Sequence, residues 1–476
     1  MTQKLISQRA KDSSTLVTIV IIVAIITILN LFSLGAPTLK ERIIASIIIF
    51  LAIIPIFRNV KKIDPWLPFL PLFGIIYSLY YAAPVFLLEK WVVSYHGREK
   101  YLSHEALEKG LWVALLGLCC TYVSFYWYPG RWIKEHVPKI QFSLDLSTMR
   151  FAGISLGLIG MIFTIISRSI NILLFQELLD LLASFLLVGI VILYTFYLDK
   201  HLDFIGKVIL WGILIPFKLL SGLGTGHTFL VIDVFILLIF TFWTNRGYVP
   251  WIQMFILGGM LIILISLKGE FRRLAWYGEM AQAPYFRKAY LYVDMTLSYL
   301  RGEKGSFIDL LQISMRRLGF LTTLAYVVDV TPEVIPYWKG KTYLPLVYIF
   351  PRFIFPWKPQ NYSIGQEFGH RYGLLQPHDF TTAYNTPQLI EMYANFGIWG
   401  VIIGMFLMGI IYRLILETFG HPKCGNITKI IGIVICTRML YIEGNFALVY
   451  GNLIWWIIGW ILVLKFFTIF TVQRNL

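Results

Sequence analysis

The sequence predicts an all-α polytopic membrane protein with about twelve transmembrane helices and one large extracytoplasmic loop between spans nine and ten. Three observations carry that prediction. Of the 476 residues, 58% are hydrophobic and only 14% charged, a membrane composition rather than that of a soluble chain of two or three domains. Apolar stretches long enough to cross a hydrocarbon core of roughly 30 Å recur along the chain. Between residues 268 and 392 that pattern stops, and a basic, proline-rich segment replaces it.

Taken in order, the stretches cover approximately residues 15–34, 42–57, 66–88, 108–128, 151–170, 172–197, 205–221, 227–243, 248–267, 393–412, 427–444 and 450–471. Each must be helical, because backbone N–H and C=O groups facing lipid have no water to bond. Lys4, Arg9 and Lys11 precede the first stretch as in a signal sequence, but its long apolar run and the lack of a small-x-small cleavage site read as a retained anchor. Arg58, Lys61 and Lys62, the basic segment from Arg131 to Arg150, Lys200, Lys207, Arg246, Lys423 and Lys429 all fall on the side of the amino terminus if twelve spans alternate. The positive-inside rule makes that side cytoplasmic, with both termini, and the membrane the inner (cytoplasmic) one. The chain then divides into nine spans over 1–267, the extracytoplasmic loop over 268–392 and three spans over 393–476. Within the spans, the spacing of Gly153 with Gly157 and of Gly400 with Gly404 predicts close helix approach.

Apolar residues at three- and four-residue intervals predict loop helices over Tyr285–Leu300 and Ser306–Val328, the second opened by a Ser306/Asp309 capping box. Their amphipathic, aromatic and basic character suits the headgroup layer. From Thr331 to Pro387, eight of the chain's 20 prolines forbid long helix and impose an irregular path. A loop of this size without regular structure is more often functional than not.

The net charge of +15 reflects both the cytoplasmic side and the loop, and a cluster outside the membrane is poorly placed for nucleic acid. The four cysteines form neither a disulfide framework nor a zinc spacing. Arginine grips phosphate oxygens bidentately and stays charged, so Arg272, Arg273, Arg316, Arg317, Arg352, Lys358 and Arg371 are candidates for binding a diphosphate. The competing account is that basic groups near membrane ends snorkel to lipid headgroups. His370 and His378, each near an acid in sequence, are candidate proton acceptors; as structural histidines they need no chemistry. A metal site from Glu367, His370, His378 and Asp379 matches no standard ligand spacing. Glu391, at the edge of span ten, is either functional or an acid favouring a helix amino terminus. Residues 221–228, rich in glycine, lack the lysine-serine ending of a phosphate loop and read as a tight turn.

The run from Pro351-Arg352 to Lys358-Pro359, the glycine-rich aromatic stretch after it and Glu391-Met392-Tyr393-Ala394-Asn395-Phe396-Gly397 resemble Wzy-type oligosaccharide repeat-unit polymerases. The twelve-span layout, the glycine turn before span eight and Lys268-Gly269-Glu270-Phe271-Arg272 agree with the resemblance. It implies polymerisation of polyprenyl-diphosphate-linked repeat units at the outer face, by glycosyl transfer without metal, nucleotide sugar or other cofactor. Implied partners are the lipid-linked oligosaccharide, membrane lipid and a chain-length regulator. Such polymerases often carry an arginine in the turn corresponding to 221–228, where this chain has His227. A flippase for a lipid-linked glycan explains twelve spans equally well but predicts buried midplane charges and a repeat, whereas Lys218 and Asp233 are the main charges within the spans. A ligase of the same broad type would share the arginines and differ in acceptor; a scaffold would leave them unexplained.

Overall fold

The computed structural model describes residues 20–474 apart from 22, 65, 170–174, 227, 277, 303–305, 345–354, 356–362, 381 and 452. In chain order its elements are α1 (Leu39–Val60), α2 (Phe69–Tyr81), α3 (Ala83–Leu87), the antiparallel hairpin β1 (Val92–Tyr95) and β2 (Arg98–Tyr101), α4 (His104–Tyr126), α5 (Tyr128–His136), α6 (Leu146–Ser169) and α7 (Gln176–Leu198). They continue as α8 (Phe204–Thr225), α9 (Thr228–Arg246), α10 (Trp251–Ala275), α11 (Tyr285–Leu300), α12 (Phe307–Leu318) and α13 (Phe320–Val330). The last are α14 (Ile364–Arg371), α15 (Gln388–Phe419), α16 (Asn426–Met439), α17 (Phe446–Tyr450) and α18 (Leu453–Arg474).

Among the described residues, eight helices are long and apolar enough to cross a membrane: α1, α4 with α5, α6, α7, α8, α10, α15 and α17 with α18. The fold is that of an all-α membrane protein. Two predicted spans are shorter than expected. The stretch 66–88 divides into α2 and α3, with Pro84 in the first turn of α3. The stretch 427–444 holds only the 14 helical residues of α16.

Glycines decide how two of the helices run. In α6 and α7 they bring backbones together as expected: a Cβ on Gly189 would lie 2.5 Å from the Gly157 backbone nitrogen. The expectation fails for Gly400 and Gly404. Helix α15 breaks at Gly397, whose φ of 63° and ψ of −145° lie in a region that favours glycine, and the two glycines then face Met392 of the same helix. Carbonyls released by the break find new donors, Trp338 N–H for Ala394 (3.0 Å) and Lys339 N–H for Asn395 (3.2 Å). The proline-rich segment is thereby sewn onto α15.

The loop helices keep part of their expected form. Helix α11 has the predicted bounds, and Ser306 caps α12 with Asp309 closing the box. The single helix expected over Ser306–Val328 instead breaks at Gly319. Its second half, α13, does not lie in a headgroup layer: residues Phe320 to Val327 are all buried, and Gly110 of α4 admits Ala325 at backbone distance. Apolar and threonine side chains surround this helix on every side, so packing within the bundle is its stable solution.

At the end of the bundle away from the loop, a buried charge network ties three segments together. Arg413 pairs with Glu417 (3.0 Å), and neither exceeds 5% side-chain exposure. The Trp66 indole donates to the same Glu417 oxygen (3.1 Å), while Lys139 stands 3.7 Å from the other, too far for a hydrogen bond. The Arg413 guanidinium stacks 4.0 Å over the Trp66 ring.

Candidate functional site

The last turns of α10 present Lys268, Gly269 and Arg272 on one stripe, because residues three and four apart share a helix face. Two loop helices are fastened to this stripe through second lone pairs of its carbonyls. Ser314 of α12 donates to the Ile262 carbonyl (2.6 Å) and Arg317 to that of Ile265 (3.3 Å). Tyr292 of α11 donates to the Leu264 carbonyl. Gly269 is what admits Arg317: a Cβ there would lie 2.5 Å from the guanidinium. Beneath, Val231, Leu267, Phe271, Tyr292 and Met295 form a small apolar core that holds α9, α10 and α11 together.

The result is a cluster of like charges. Lys268 lies within Coulombic reach of both Arg272 and Arg317. Although Arg317 keeps an exposed surface, the protein packed around its guanidinium pushes its pKa below the ordinary value, with Tyr292 acting in the opposite sense. Arg272 lies 4.4 Å over the Trp276 ring and donates to the Gly226 carbonyl at 3.4 Å. Its Nε is buried without a partner. Glu443, in the turn between α16 and α17, is the carboxylate within Coulombic reach of Lys268. It accepts from the Tyr80 hydroxyl (3.4 Å) and bonds Tyr441. Among the described residues no ion pair engages Lys268, Arg272 or Arg317, and Glu443 is within Coulombic reach of Lys268 alone of the three, so the recess is left positive.

A second charged group adjoins the first. Lys218 of α8, Asp233 of α9 and Arg438 of α16 lie within Coulombic reach of one another, and Arg438 donates to the Leu448 carbonyl of α17 (3.1 Å). Arg168, at the end of α6, donates to the Ser221 carbonyl (3.0 Å). Lys218 precedes the end of α8 at Thr225 by seven residues, or about 10 Å. Arg168 and Arg438 thus stand in the last turns of their helices, whereas Lys218 and Asp233 lie within theirs.

The expected site residues separate into distinct neighbourhoods. Arg272 and Arg317 converge, whereas Arg273 is exposed on another face of α10. Arg316 points away from Arg317 and pairs with Glu99 of β2 (3.1 Å). Arg371 donates to the Pro336 carbonyl (2.6 Å) and stacks over Trp338. Arg352 and Lys358 lie outside the described residues, as does His227. The Nε2 of His370 donates to the Asp379 backbone carbonyl (2.9 Å), not to a carboxylate, because Glu367 is held by Lys341 and the Asp379 carboxylate accepts from Thr382 N–H. That bond leaves Nδ1 as the acceptor nitrogen. His378 is exposed. Glu391 is fully buried; Oε2 accepts from Phe446 N–H (2.8 Å), fastening α17 to α15, while Oε1 is buried without a hydrogen-bond partner and the loop is tied to α15 by Asn395 donating to the Thr342 hydroxyl (2.7 Å). Residues 221–225 are helical and Gly226, at φ 67°, ends the helix.

Sequence reasoning missed Glu443, Arg438 and Arg168 as site residues, although a charge in the last turns of an apolar helix was the available signal. A family model described as a domain of unknown function (DUF8712) matches residues 131–474. No curated protein and no solved structure matches the chain.

Proposed function

Because the chain belongs to the DUF8712 family, whose description assigns no activity, its own residues carry the argument, and we propose that it polymerises polyprenyl-diphosphate-linked oligosaccharide repeat units at the outer face of the cytoplasmic membrane. The observation behind this reading is the positive recess of Lys268, Arg272 and Arg317 at the loop end of the bundle. A cluster of cations without matching carboxylates suits a polyanion, and its place at the end of membrane-length helices suits one carried by a lipid. In the proposed reaction a sugar hydroxyl of one repeat attacks the anomeric carbon of the other, and the bond from that carbon to the diphosphate breaks. Fixed guanidinium groups then meet the charge developing on the leaving diphosphate. Of the groups that can accept the hydroxyl proton, Glu443 is within Coulombic reach of Lys268, and His370 and His378 are the competing assignment.

Purified protein supplied with lipid-linked repeats in the presence of chelator is expected to extend chains. Glu443→Gln should stop extension, and the double change His370→Ala/His378→Ala should leave it. Extension that needs an added divalent ion would end the metal-free mechanism. Transport of the repeats without extension would replace the reading by that of a flippase, and transfer onto a different lipid acceptor by that of a ligase.

The orientation is tested separately. A cysteine placed at Gly340 is expected to react with a membrane-impermeant maleimide on intact spheroplasts, because this reading puts residues 268–392 outside and both termini in the cytoplasm. Reaction only after the inner membrane is permeabilised would reverse the orientation and remove the proposed substrate from reach.

A further inference from the structure

A second hollow lies apart from the charged recess. It is a groove of about 800 Å³ between α15 and the helices α17 and α18, walled almost wholly by carbon. Gly400 and Gly404, packed against Met392, belong to its lining, and Ile403, Leu407, Ile411 and Ile457 supply aliphatic walls. From Gly400 to Ile415 the wall runs about 22 Å at helical rise, most of the depth of a hydrocarbon core. A peptide laid there would leave amide groups without partners. Hydrocarbon is the chemistry that fits.

One end of the groove lies beside Arg438 and Glu443. Phe446 and Tyr450 belong to its wall, and they flank Leu448 on α17, whose carbonyl accepts from Arg438. Glu443, three residues before Phe446, faces Lys268. A single helical turn therefore has carbon on one side and the charged recess on the other. We propose that this groove holds the isoprenoid chain of the lipid carrier whose diphosphate the recess binds, an inference that rests on the function proposed above. The acyl chain of a bulk phospholipid is the alternative occupant, but it brings no diphosphate to the cations at the groove's end.

A polyprenyl diphosphate with a diazirine in its terminal isoprene unit, added to the protein in phospholipid nanodiscs and photolysed, provides the test. Peptides containing Ile403, Leu407, Ile411 or Ile454 are expected to carry the label, and unlabelled polyprenyl diphosphate should displace it where added phospholipid does not. Ile403, Leu407 and Ile454 expose about half of their surface, so Leu407→Trp fills the groove without disturbing the core, and it should reduce the label roughly tenfold. Label spread evenly over the lipid faces of α1 and α6, equal displacement by phospholipid, or full labelling of Leu407→Trp would each overturn the proposal. Labelling does not depend on turnover. A labelled groove in a protein that extends no glycan upholds a polyprenyl site and removes the polymerase reading; extension with an unlabelled groove does the reverse.

Discussion

Arg272→Ala is expected to slow glycan chain extension by roughly 10²- to 10³-fold, the range found when one fixed donor to a developing charge is removed. The side chain is already positioned, stacked on Trp276 and anchored at the Gly226 carbonyl, with its Nε buried and unpartnered. A free donor of this kind awaits an acceptor, and leaving it unpaired is costly. Arg317→Lys should fall between wild type and Arg317→Ala, since the ammonium keeps the charge and loses the fork. Arg316→Ala serves as the contrast: its partner is the exposed Glu99, and surface pairs contribute little. Extension rates of purified variants with unchanged gel-filtration profiles decide the matter. Full activity of Arg272→Ala would remove the recess from the mechanism.

The second large effect concerns stability. Glu417→Ala is expected to cost about 3–5 kcal/mol, because it strands Arg413 as a buried charge without its partner. Replacing both residues by apolar ones, as in Arg413→Met/Glu417→Leu, should recover most of that loss, since two desolvation costs disappear together. Melting of the three proteins in the same detergent tests the pair. A single variant that melts with wild type would show that the contacts of Glu417 do not hold this end of the bundle.

Solvent made the helices legible before their packing. Any apolar run of membrane length must be helical, so α1, α6, α7 and α10 could be read from composition alone, and so could the capping box at Ser306. The breaks were harder to see. Gly397 interrupts α15 because its φ is 63° and Tyr337 occupies the space a side chain would need; nothing in the spacing of neighbouring residues reports a contact 60 positions away. The same limit applied to the site. Arg316 and Arg317 are neighbours in sequence but point about 100° apart on α12, so one pairs with β2 and the other crosses α10 beside Gly269. Glu443 comes to Lys268 only through the fold, by way of the short α16 and its turn.

That short helix has a consequence for the membrane itself. At 14 residues α16 rises about 21 Å, while the hydrocarbon layer measures about 30 Å. A span shorter than its bilayer is accommodated by local thinning. If α16 crosses the bilayer, as the proposed topology has it, the leaflet beside it would dip or admit water toward Arg438 and Glu443. An anionic headgroup then reaches these residues by sinking with the depressed interface, and its chain need not be drawn out of the leaflet. Bilayer thickness becomes a determinant of substrate access: a thicker membrane deepens the mismatch and raises the elastic cost of the depression, so the surrounding lipid acts as part of the binding site's entrance.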